Sequence, residues 1–420
     1  MSPIDDQPPP SQCNISPVRS SVLRLLAILI LLLAMLAAAA WHLASPYVRA
    51  TSLVVRSAGL ESSHPMLASW QRQAVAERAG SVPSRQGSLR AKFYIPARAA
   101  RAVLLVPGVN AMAIDEPRLI GFARQLAATG LAVVTPDVPD LRHYEVTPRS
   151  ADLIEDAAGW LAGNRDLCPD GRIGLIGISF AGGLSVVAAG RPSVADRVAF
   201  VLSFGGHGEF QRVMRYLCTG VEPDPGGTDA PGQSGSVSGQ EGAVRRPPHD
   251  YGVAVMVLDL AHVIVPPGQA EALRRGVLVF LEASHLALYD TAGAEREFAR
   301  ARDLERDLPE PAATLLHLVN TRDVDALGRR LLPFIRSLGE DPALSPERSP
   351  APKAPVFLLH GSDDNVVPAM ESRLLARHLA GQAPVHLLLS PLITHAEVNR
   401  TARAADVWRL IAFWADVLRQ

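Results

Sequence analysis

Six short apolar runs punctuate this chain, at 101–106 (RAVLLV), 131–135 (LAVVT), 172–177 (RIGLIG), 198–204 (VAFVLSF), 355–360 (PVFLLH) and 385–390 (VHLLLS). None alternates polar with apolar, so each suits a strand buried on both faces, the habit of parallel sheets. Helical patterns lie between them. One covers 116–129, with Asp115 as its candidate cap, Leu119, Phe122 and Leu126 on one face and Gly130 as its stop. Another opens at Thr147-Pro148, and a last one from Thr401 carries the stripe Val407, Leu410, Ile411, Trp414, Val417 and Leu418. Strands alternating with helices at this spacing need right-handed crossovers and predict an α/β fold, a mostly parallel sheet with helices on both faces.

The alternation breaks between His207 and Pro352. Residues 221–248 are rich in Gly, Pro, Ser and Asp and hold almost no apolar side chains, which predicts a mobile loop. From Tyr251 to about Leu338 the patterns are helical, so 207–352 reads as a helical cap inserted into a core of 88–206 and 353–420. Residues 44–87 read as a stalk with a first edge strand. At the N-terminus, 25–41 (LLAILILLLAMLAAAAW) carries no charge and is close to the length needed to cross a bilayer. Arg19 and Arg24 precede it, which predicts a transmembrane signal anchor over 25–43, a cytoplasmic tail over 1–24 and export of the main domain. A cleaved signal at the small residues 37–40 is the alternative. The net charge of −1 leaves no electrostatic footprint for nucleic acid. Of three cysteines, Cys168 and Cys218 flank the strand region; in an exported domain they are a candidate disulfide, the alternative being two separate buried thiols. No zinc-ligand spacing and no cofactor motif is present.

The chemistry gathers around Gly177-Ile178-Ser179-Phe180-Ala181, a serine between a strand-like and a helix-like run. Gly177 and Ala181 are the small residues that a sharp strand-turn-helix elbow requires, although Ala181 is one methyl larger than the usual glycine. A serine hydroxyl is a weak nucleophile near neutral pH and needs an imidazole base held by a carboxylate. Both follow downstream at strand ends: His360-Gly361-Ser362-Asp363-Asp364 after one run and His395 after the last.

With these residues in this order, the chain resembles the α/β-hydrolase superfamily, most nearly its dienelactone-hydrolase and carboxylesterase-like branch. The likeness covers 88–420 apart from the cap. It implies Ser179 as nucleophile, Asp364 as the acid, with Asp363 as the near neighbour, and His395 as the base. It also implies oxyanion-hole amides from Phe180 and from Val109 or Asn110. Ser179, where dienelactone hydrolases carry cysteine, favours a more general ester hydrolysis on a small or lipid-like ester, less readily on an amide. His207, after the strand 198–204, is a candidate edge of the site, with loop packing or a cap contact as the alternative. An acyltransferase on the same triad, or a membrane-tethered binding protein that has kept the fold, are the rival readings.

Overall fold

A computed structural model of the protein describes residues 17–222, 244–393 and 403–420, with side chains from Arg24 onward except at 336 and 337. Eight strands form one sheet: β1 (Val75–Ser84), β2 (Gly87–Pro96), β3 (Arg101–Val106), β4 (Leu131–Pro136), β5 (Ile173–Ile178), β6 (Val198–Phe204), β7 (Val356–Gly361) and β8 (Val385–Ser390). Their spatial order is β1-β2-β4-β3-β5-β6-β7-β8. β1 and β2 pair antiparallel, as do β2 and β4, and every later neighbour is parallel.

Side chains of the central strands divide between the two faces as a pleat demands. In β3, Ala102, Leu104 and Val106 pack on one core cluster and Val103 and Leu105 on the other. The first face is covered by the helices Pro148–Gly163 and Phe180–Gly190, and the second by Pro117–Ala127 and Ala404–Val417. Helix Pro117–Ala127 is capped by Glu116, whose side chain accepts from Leu119 N–H, and not by Asp115. Asp115 instead pairs with Arg90 and Lys92 of β2.

The second face holds one more element. The N-terminal helix runs unbroken from Pro17 to Ser57. Its apolar part is exposed and long and apolar enough to cross a membrane by length and composition. Its last turns are packed: Ala50 and Leu53 are buried with Leu119, Ala123, Leu410 and Trp414. Arg49 donates to the carbonyls of Thr129 and Leu418, and Arg56 to that of Gln125. The first part of the expected stalk is therefore helix docked on the core, because its apolar positions continue past the exposed span.

Between β6 and β7 the described residues form six helices, Phe210–Thr219, Asp250–Ile264, Pro267–Leu286, Thr291–Arg306, Ala312–Asn320 and Val324–Leu331. The Gly- and Pro-rich stretch in this insert lies, from 223 to 243, outside the described residues. A buried ion cluster fixes the insert's base. Glu371, fully buried after β7, accepts from the amides of Gly208 and Glu209 and from Arg212 Nε at 2.6 Å, while Arg212 also reaches Glu347. A lone buried carboxylate would be costly; these donors offset that cost.

The disulfide expectation is corrected. Cys168 and Cys218 are free, buried thiols. Cys168 precedes the start of β5 and donates to the Arg172 carbonyl, whereas Cys218 sits in a helix that follows the end of β6 and packs on Gly328 of the insert. Parallel strands put these positions at opposite ends of the sheet, beyond the roughly 7 Å between Cα atoms that a disulfide allows.

Candidate active site

The strand order reverses direction at β3. The chain steps from β3 to β4 on one side and then crosses back to β5 on the other, and such a switch point opens a crevice at the strand C-termini. Val106 pairs with Gly177, so the loop leaving β3 and the elbow leaving β5 begin side by side.

Ser179 occupies the elbow at φ 55° and ψ −134°, a backbone conformation that a non-glycine residue adopts only under constraint. The constraints are visible. Ser179 N–H donates to the Phe204 carbonyl at 2.7 Å, and its own carbonyl accepts from Gly182 N–H at 2.7 Å. A Cβ on Gly177 would lie 2.2 Å from the Ala181 carbonyl oxygen, and one on Gly182 2.5 Å from Ser203 Oγ. The helix thus packs on the sheet through Gly182, one residue beyond Ala181, and this accommodates the extra methyl. Phe180 opens the helix Phe180–Gly190, where backbone N–H groups lack intrahelical partners and the dipole favours negative charge.

The β3 loop closes on the serine. A Cβ on Gly108 would come within 3.3 Å of both Ser179 Cβ and the Ile178 carbonyl oxygen, so this backbone lies directly against the elbow. Of the two residues expected to offer an amide here, Asn110 has its N–H committed to the Leu141 carbonyl at 3.1 Å. Val109 is the remaining one.

Asp364 follows β7 and is 3% exposed. Its Oδ1 accepts from the amides of Val366 (2.9 Å) and Val367 (3.0 Å), and its Oδ2 faces Gly205, whose added Cβ would lie 3.6 Å away. The Phe204–Gly205 turn at the end of β6 therefore touches the serine's backbone on one side and the carboxylate on the other. Asp363 points outward, its side chain 72% exposed and paired with Arg246. His360 is buried with both ring nitrogens engaged, by Ser372 Oγ and the Val367 carbonyl. His395, the expected base, lies outside the described residues.

His207 is fully buried and sits beneath the elbow helix instead of at the mouth. Its ring lies against Gly183, Phe180 and Phe210, and Nε2 meets the Leu344 carbonyl at 2.7 Å. Burial holds its pKa below the ordinary value, so it is neutral.

Residues of the insert reach the β3 loop, which no sequence pattern announced. Tyr251 Oη donates to the Val109 carbonyl at 2.9 Å. His285 Nδ1 lies 3.0 Å from Asn110 Nδ2, and Tyr289 Oη donates to Glu116. Burial lowers the His285 pKa, and a neutral Nδ1 accepts from the Asn110 amide group. A cavity of about 540 Å³ opens beside this loop, lined by Ala111, Arg142, Tyr144, Glu145, Arg274 and Leu278 among others. Ser179 is not part of its wall.

The strand order together with the elbow defines an α/β-hydrolase fold carrying an inserted helical cap. No protein-family model and no curated protein matches the sequence. Solved structures do match. An esterase from Pyrobaculum calidifontis is 17% identical, covering 87% of this chain and 91% of its own, with a TM-score of 0.42. A thermostable carboxylesterase cloned from a metagenomic library is 16% identical, covering 86% and 94%, with a TM-score of 0.44. A dienelactone hydrolase from Anabaena variabilis is 17% identical, covering 81% and 96%, with a TM-score of 0.38.

Proposed function

We propose that the protein is a membrane-anchored serine hydrolase that cleaves a small-molecule or lipid-like ester through an acyl-enzyme on Ser179. The observation that carries this reading is the strained serine flanked by the Gly108–Val109 backbone on one side and, across the Phe204–Gly205 turn, by the buried Asp364 carboxylate on the other.

His395 takes the Ser179 Oγ proton as Oγ attacks the ester carbonyl. Asp364 orients that imidazole and stabilises its charged form, its own carboxylate held by two amides. The amides of Phe180 and Val109 receive the developing oxyanion, a contribution of about 3–4 kcal/mol per donor. The imidazolium returns its proton to the leaving alcohol, and a water activated by the same base then releases the acid and frees the serine.

A fluorophosphonate probe tests the core of this reading. Wild-type protein is labelled and turns over short p-nitrophenyl esters; Ser179→Ala, still folded by circular dichroism, loses the label and at least about 10⁴-fold in kcat. Undiminished labelling of that variant rules the reading out.

The exposed N-terminal helix supports a single-pass anchor, and Arg19 and Arg24 ahead of its apolar run favour the hydrolase domain lying outside the cytoplasm. A reporter fused after Gln420 that is active only outside the cytoplasm is the expected result.

A further inference from the structure

The three exposed tryptophans of this chain gather at one end of the molecule. Trp41 is 58% exposed, Trp70 40% and Trp408 57%, while Trp160 packs against the core and Trp414 is buried. They come from three distant parts of the chain, yet contacts to the N-terminal helix fix them at neighbouring levels. Trp408 stacks on Tyr47, ring centroids 5.6 Å apart and planes within 3°. Gln71, next to Trp70, accepts from Ser45 Oγ at 2.9 Å. Trp41, Ser45 and Tyr47 therefore mark one short stretch of the helix axis, about 9 Å long at 1.5 Å per residue.

That stretch lies where the apolar run ends. From Leu25 to Ala44 a helix rises about 29 Å, close to the roughly 30 Å hydrocarbon thickness of a bilayer, and the headgroup layer beyond it is of the order of 5–8 Å. Indole rings, apolar with one polar N–H, are suited to that layer. Arg419, paired with Asp416, lies over the Tyr47 ring at 4.8 Å, and exposed Arg72 sits at the same end. An exposed aromatic cluster of this kind marks a contact surface, with a membrane or with a partner.

We infer that this end of the hydrolase domain seats in the headgroup layer of a bilayer through Trp41, Trp70 and Trp408, so that the domain itself, and not the anchor helix alone, is a membrane-binding surface. The inference rests on the membrane-anchored reading above. Continuity with the exposed apolar helix identifies lipid as the occupant.

The full chain, reconstituted in vesicles of phosphatidylcholine and phosphatidylglycerol carrying acyl chains brominated near the headgroup, tests it by tryptophan fluorescence. Three of five tryptophans in reach of bromine predict quenching of about three fifths of the emission. Trp70→Phe and Trp408→Phe each lower the quenchable part by about a third, and the double variant leaves Trp41 as its only source. Trp160 and Trp414 supply the unquenched remainder and report that the variants stay folded. If Trp41 is quenched while the double variant keeps the wild-type quenchable emission, the inference is overturned and a protein partner becomes the occupant to seek. If Trp41 itself escapes quenching, the anchor reading fails, and the inference with it.

Discussion

The two sides of the crevice are built by different means. On one side, Ser179 and Asp364 are placed by backbone: amides and carbonyls of β5, β6 and the turn after β7 hold them, and glycines at 177, 182 and 205 leave the room. On the other, the Val109–Asn110 peptide is held by the Leu141 carbonyl and by a side chain of the insert, Tyr251. The first side is held chiefly by the sheet and its turns, although the Asn365 carbonyl, next to Asp364, also accepts from His249 N–H and Tyr216 Oη of the insert. The second depends on how the insert is seated, so on the proposed reading a substrate entering under the insert would bear on the oxyanion side through Tyr251.

The largest effect expected is on the backbone-built side. Asp364→Asn lowers kcat by about 10⁴-fold through loss of the imidazole's orientation, whereas Asp363→Asn, at an exposed side chain, stays within about threefold of wild type. Equal losses from the two in p-nitrophenyl ester assays would break the assignment. Next, Gly177→Ala forces a methyl against the Ala181 carbonyl and costs about 3 kcal/mol or more of stability, read as a lowered Tm together with lost activity.

Tyr251→Phe probes the insert-held side. It removes the hydrogen bond to the Val109 carbonyl and leaves the ring, so kcat falls by about 10- to 100-fold with KM little changed, while fluorophosphonate still reaches Ser179. A KM effect alone would mean that Tyr251 only shapes the entrance.

The smallest effect concerns the seating of the insert itself. Burial, with Glu145 nearby, raises the Asp259 pKa from 3.8 to about 6. The folded state then binds this proton more tightly than the unfolded chain, so the stability it confers is complete below about pH 4 and lost as pH rises through about 6. Asp259→Asn removes that dependence and raises stability at pH 7 by about 1–2 kcal/mol, with no gain at pH 4. A Tm difference independent of pH would contradict it.

What could be read in the sequence follows the same division. Strands β3 to β7 were legible because burial on both faces leaves uninterrupted apolar runs, and β8 by its apolar run although this edge strand is largely exposed or half-buried; the elbow was legible because its backbone tolerates few residue types at 177 and 179. β1 was legible only as an unplaced edge strand, since all but Val82 of it is exposed or half-buried and it shows no apolar period. Helix Pro117–Ala127 was legible, but its cap falls on Glu116 because the arginine and lysine of β2 draw Asp115 away. Tyr251 and His285 could not be read at all. They meet Val109 and Asn110 across 142 and 175 residues, and a lone tyrosine or histidine in a helix carries no sign of such a partner.

The unbroken helix from Pro17 to Ser57 has a consequence for how such an enzyme would meet its substrate. On the membrane-anchored reading, the docking of its last turns in the core would hold the crevice near the bilayer, with no slack linker between the apolar span and the docked turns. Esters dissolved in the lipid would reach it by lateral diffusion, so its rate would follow their number per unit of membrane area and not their concentration in the surrounding water.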